Sequence, residues 1–473
     1  MTTRQDLPAA GLWDDEEPRS PGTLVSAARF VPGLTADDVL AAGAGRERFF
    51  WRPPTGPSLA GFGVAAEIFG YGTARMQEIA DQSRAIFTDA APDPLAPPHA
   101  RPRFFGGFAF RDDFVPDEAW SAFHPAHFLL PHVQFVQNAD GRGGWLTISA
   151  LAATGDDIAD TRQALYTALD AHAALIPTHP TQPSVQDVPH PHPTEVRYPM
   201  DLAAWSDFVS RALGEIAAGR ITKVVLARAC ELRSADGFDL TQVMAQLDAE
   251  YPECYRFFFE PHPGHAFLGA TPELLVQAHG RDLHTMALAG SQARGATPER
   301  DAVLAAELLS SDKDRREHRL VLDALIERLK PLAATLTPGA TGIMPLRNIQ
   351  HLHTPVQAEL HSAAAAISAI ETLHPTPALG GAPRDAALRF IYEHEPLTRG
   401  WYAAPVGWFD AALDGAFCVA IRSAVVQKSR AWLYAGCGIV AGSIPQREWD
   451  ETGLKFRPML RALGGDSPRP ENS

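Results

Sequence analysis

The 473-residue chain carries 56 acidic against 41 basic side chains, a formal charge of −15, with an apolar fraction of 45%. That balance supports a large folded core and argues against a nucleic-acid surface or an anionic membrane as partner, so an anionic ligand would need a local basic pocket or a metal. Four cysteines, Cys230, Cys254, Cys418 and Cys437, show no C-x-x-C spacing and argue against structural zinc.

The start of the chain, "MTTRQDLPAAGLWDDEEPRS", is polar and acidic, and no apolar run reaches the length of a membrane span. The expectation is a cytoplasmic protein with reduced thiols. Residues 1–20 and 465–473 read as frayed tails. Residues 21–176 show strand-like runs punctuated by Gly and Pro, among them "RFFWRPPTGPSLAGFGVA", "RFFGGFAF" and "HFLLPHVQFVQNADGRGGWLTISA", the last with a hairpin turn over Asn138–Gly144. A helix follows at "DIADTRQALYTALDAHAALI", where apolar residues recur every three or four positions.

Residues 177–199 form a connection too rich in Pro for a helix or a core strand, and its alternating His-Pro marks an exposed segment more than a metal site. Residues 200–464 alternate helices and strands. "DLAAWSDFVSRALGEIAAG" reads as a helix closed by Gly219, and "ITKVVLARAC" as a buried strand with Lys223 at its edge. A solvated strand end is the plain reading of that lysine, because Lys is almost never fully buried without a partner.

The familiar phosphate-binding, serine-nucleophile and zinc motifs are absent. Carboxylates remain. Asp314 and Glu317, three apart on a strongly periodic helix, project from one face, and Glu448 and Glu451 repeat the spacing with Lys455 one turn on. Either pair alone reads as solvated surface charge. Facing each other, they would make an all-oxygen site suited to magnesium, which would offer an anionic substrate a positive face. Glu273 follows Pro272 between apolar neighbours. It is either a desolvated carboxyl suited to general-acid work or a helix N-terminal charge. In "LAGSQARG" and "YAGCGIVAGS", small residues after apolar strands allow backbone N–H groups to approach a ligand carboxylate.

In order, "KVVLAR", "FLGATPELL", "LAGSQARG", "SDKDRREH", "HPTPALGG", "RGWYAAPVGWFD", "CVAIRSA" and "AGCGIVAGSIPQREWDETGLK" resemble the chorismate-utilising enzymes, most of all isochorismate synthases of the menaquinone type. The resemblance covers about Asp201 to Leu463. It implies one α+β fold, with large β-sheets packed as a sandwich-like core and helices outside. It also implies a magnesium-dependent enzyme acting as a monomer on chorismate, with no nucleic-acid or membrane partner, in menaquinone or siderophore biosynthesis. Carried over by position, Lys223 is the base that activates water and Glu273 the acid that protonates the departing hydroxyl. Glu317 and Glu451 are direct metal ligands, with Asp314 and Glu448 in the outer shell. Tyr402, Arg422, Gly436 and Lys455 hold substrate carboxyl groups, and Leu288, Gly290 and Ser291 line the pocket. A salicylate synthase that also eliminates pyruvate shares these residues. A non-catalytic chorismate-binding protein would be expected to have lost one of them.

Overall fold

The computed structural model describes residues 22–176, 193–363 and 366–465. The tail expected at 1–20, all but the first residue of the tail expected at 465–473, and 177–192 of the Pro-rich connection lie outside the described residues. The connection's last part enters a short strand, Glu195–Arg197, paired with Glu231–Arg233.

Among the described residues, twenty strands are hydrogen-bonded into one network, with ten α-helices around it. The expected α+β class is the one found. Long-range pairing weaves the first block into the second. Strand Arg48–Arg52 pairs with Tyr255–His262, placing Phe50 opposite Phe258, and strand Phe104–Phe108 pairs with Pro405–Phe409. Two apolar clusters fill the layers between sheet and helices. The Asn138–Gly144 hairpin joins strands Ala126–Gln137 and Gly143–Ala152 as its turn residues direct.

The strand Lys223–Arg233 is central to the site. Its first six residues are all buried, which is why the sequence shows a continuous apolar run there in place of alternation. It pairs antiparallel with Arg430–Val440 along its whole length, setting Val225 opposite Gly438 and Ala227 opposite Gly436.

Two helices bring acidic side chains to this sheet. Helix Asp312–Leu329 starts at Ser311, whose side chain accepts from the Asp314 N–H, and it buries His318, Val321, Leu325 and Leu329 along one stripe. Each such leucine or valine contributes roughly 1.5–3 kcal/mol relative to exposure, so Leu325→Ala would loosen the face that packs on strand Asp282–Ala293. Helix Pro445–Ala462 begins with proline at its first turn and buries Glu448, Thr452, Phe456 and Met459 against strand Arg430–Val440. No helix among the described residues is long and apolar enough to cross a membrane.

Candidate active site

A cavity of about 680 Å³ opens where these elements meet, and every candidate site residue named from the sequence lines it. Lys223 is the first surprise. It is only 1% exposed, which excludes the solvated strand end, and its Nζ donates to Glu317 Oε1 at 2.7 Å. The partner that a buried lysine needs comes from a helix 94 residues further along the chain.

Glu273 sits in the link between strands His265–Thr271 and Leu274–His279, so the alternative of a helix N-terminal charge falls away. Its N–H donates to Thr271 Oγ1, and its carbonyl accepts from Val419 N–H. The residue is 5% exposed. Burial pushes its carboxyl up to about 8 against the opposing pull of Lys223, Lys455 and Arg422. Such a group holds a proton at neutral pH and can donate it.

The two acidic pairs face the same space, and each member is engaged. Ser311 Oγ donates to Asp314, Lys223 to Glu317, Lys313 to Glu448 at 3.4 Å, and Lys455 to Glu451 at 2.6 Å. Burial, together with the charge of Glu317, raises the Asp314 pKa, and burial with the charge of Glu451 raises that of Glu448. Burial acts to raise Glu317 as well, yet Lys223 beside it, with Lys313 and Lys455, holds it below the usual range.

Among the described residues, no group of three or more His, Cys, Asp or Glu is gathered closely enough to hold a metal ion unaided. Magnesium does not require one, since it binds through one or two carboxylates completed by water and substrate. The donors here are hard oxygens, and burial together with mutual repulsion, which raises Asp314 and Glu448, is what a cation would offset. The set fits.

The rest of the lining is cationic and polar. Arg422 is 4% exposed and takes a left-handed φ of 51°, a strained conformation that concentrates at working sites. Its Nη2 bonds to His351 Nε2 at 3.2 Å, and His351 Nδ1 bonds to Ser291 Oγ at 3.0 Å. Burial, reinforced by Arg422 and Lys455, keeps His351 well below its ordinary pKa, so the neutral ring can accept from Arg422 and present Nδ1–H to Ser291. Sequence reasoning missed His351 as a site residue. A histidine in an apolar strand reads as a core residue, and only the pairing of strand Ile349–Leu360 with Asp282–Ala293, His351 opposite Ser291, brings it to the pocket. Lys455 also donates to Gly436 O at 2.9 Å. A Cβ on Gly436 would stand 2.8 Å from Leu226 O and 3.1 Å from the Tyr402 hydroxyl, so glycine keeps that corner open.

Fold and cavity together gather a buried carboxyl, a buried amine, a buried guanidinium and two acidic pairs around one space. The chain matches the family model described as chorismate binding enzyme over residues 14–464, and it belongs to that family. It is 36% identical over 453 residues to the salicylate biosynthesis isochorismate synthase of Pseudomonas aeruginosa, covering 93% of this chain and 91% of that protein. It is 32% identical over 454 residues to isochorismate synthase MenF of Bacillus subtilis, covering 94% of each. Its structure matches that of MenF, the menaquinone-specific isochorismate synthase of Escherichia coli, with a TM-score of 0.76 and 27% identity, covering 95% of this chain and 96% of that one.

Proposed function

We propose that the chain is an isochorismate synthase, an isomerase that adds water at ring C2 of chorismate and expels the C4 hydroxyl while leaving the enolpyruvyl ether intact. One observation carries this reading. A buried amine, Lys223, and a buried carboxyl that keeps its proton, Glu273, share one cavity. Lys223 takes the proton of the attacking water and Glu273 gives one to the departing hydroxyl, so that the ring is never asked to release hydroxide. Arg422, Lys455, Tyr402 and the Gly436 backbone hold the substrate carboxyl groups, while Leu288, Gly290 and Ser291 shape the wall around the ring.

Glu317 and Glu451 would hold magnesium directly, with Asp314 and Glu448 in its outer shell, and the cation, when bound, would supply positive charge for an anionic substrate.

Isochorismate is the released product in this reading, the compound at which menaquinone and catechol-siderophore pathways begin. The enzyme is taken to be a cytoplasmic monomer, in keeping with four buried free cysteines. The test is a chromatographic time course from chorismate and magnesium with pyruvate assayed in parallel. Isochorismate without pyruvate supports the reading. Stoichiometric salicylate and pyruvate from the start would replace it with a salicylate synthase.

A further inference from the structure

Behind the cavity wall lies an ion pair that does not itself line the cavity yet bonds to three of the segments that build it. The side chains of Glu395 and Arg399 are both 2% exposed, and Arg399 meets the carboxylate with two bonds, Nε to Oε1 at 2.6 Å and Nη2 to Oε2 at 2.7 Å. Arg399 Nη2 also donates to Val225 O at 2.8 Å and Nη1 to Leu379 O at 3.0 Å, while Glu395 Oε2 accepts from Ala227 N–H at 3.0 Å. The Arg399 carbonyl accepts from Tyr402 N–H at 2.8 Å.

These contacts have a topological reason. On the side away from Arg430–Val440, the strand of Lys223 meets Glu195–Arg197 at its far end, opposite Glu231–Arg233, and at its start Gly381 and Ala382, opposite Val224 and Lys223. Beyond them Val225 N–H still reaches Gly380 O, and then the neighbouring backbone runs out. Val225 O and Ala227 N–H would be buried and unpaired, a costly state for backbone groups. The ion pair takes over the ladder at that point, carboxylate for a carbonyl and guanidinium for an amide.

A buried ion pair is a poor means of gaining stability, since apolar replacements of similar volume often do as well or better. This one fixes the strand of Lys223, the Leu379 loop and the Tyr402 turn relative to one another. We propose that Glu395 and Arg399 are positioning residues, which set the strand carrying Lys223 against the Leu379 and Tyr402 walls of the cavity. The proposal deepens, and rests on, the reading of Lys223 as base.

The test uses the full chain. Glu395→Leu/Arg399→Met removes both charges and keeps apolar volume. The expected result is a folded protein by circular dichroism, with the Ala227 amide exchanging at least about tenfold faster. For this variant kcat per folded molecule should be lowered about 100-fold and KM changed by less than about threefold. Arg399→Lys keeps the pair but cannot span both carbonyls, and should lose about tenfold in kcat with KM held. A folded double variant with kcat within about threefold of the parent, or a loss that only tracks the unfolded fraction, overturns the proposal. Should the double variant not fold, Arg399→Lys is judged by the same two criteria. Amide exchange separates this proposal from the reaction it serves. A parent enzyme that makes no isochorismate, with Ala227 exchange still accelerated in the variant, removes the assigned reaction and leaves the anchoring. Unchanged exchange removes the anchoring.

Discussion

A Cβ on Gly438 would stand 2.6 Å from Lys223 Cε, closer than carbon atoms approach without something moving. The same atom would lie 2.7 Å from Glu317 Oε1, so the absence of a side chain at 438 is what admits the lysine–glutamate pair. Gly438→Ala should therefore keep the fold, at a cost of about 1–3 kcal/mol for overpacking. It should also lower kcat about 100-fold by displacing Lys223. Thermal unfolding and steady-state kinetics on the same preparation check both halves, and unchanged kcat would show that the position of Lys223 is not critical.

Removing either proton-transfer group should be felt in turnover more than in binding. Lys223→Ala and Glu273→Gln are each expected to lower kcat by about 10²–10⁴-fold, the usual worth of a positioned acid or base. Chorismate binding, followed by calorimetry, should persist in both. Near-parental turnover by a folded Lys223→Ala protein would remove the base from the account.

The Glu273 carboxyl gives the pH dependence a sign. As a proton donor it works below its pKa of about 8, so activity should fall as pH rises through that value. Stability moves the same way. Between the ordinary 4.5 and about 8, the folded state keeps a proton that the unfolded chain has released, so stability should decline as pH rises through that window. Glu273→Gln should flatten that decline, and denaturant titrations across the window measure it. An identical slope in the variant would mean that the carboxyl is ionised in the folded protein.

The acidic cradle predicts a requirement for divalent cation. Excess chelator should abolish turnover and added magnesium restore it. Glu317→Gln and Glu451→Gln should remove the response, whereas Asp314→Asn and Glu448→Gln should weaken magnesium binding by about 10–100-fold, as outer-shell changes do. Calorimetric titration of the metal into each variant distinguishes the two groups. Full activity in chelator would contradict the site.

What was legible in the sequence and what was not divide along the range of the interactions. The i, i+3 acidic pairs and the helices that carry them follow from local periodicity, and the structure has those helices at Asp312–Leu329 and Pro445–Ala462. Lys223 looked like a solvated strand end because its partner is 94 residues away. Glu273 could be read as a helix start or a buried turn, since proline serves both, and only the strands on either side decide. His351 and the Glu395–Arg399 pair carry no local signal at all. Their roles arise from which strands lie side by side, and hydrophobic patterning does not encode the order of strands in a sheet of this size.

The most direct test of the central claim, that water is the nucleophile activated beside Lys223, is the reaction run in oxygen-18-labelled water with the product's oxygens located by mass spectrometry. The account predicts isochorismate carrying one labelled oxygen, at C2, from the first turnovers, and loss of that incorporation in Lys223→Ala. Isochorismate formed without label would mean that the hydroxyl migrates within the substrate, and would contradict the account.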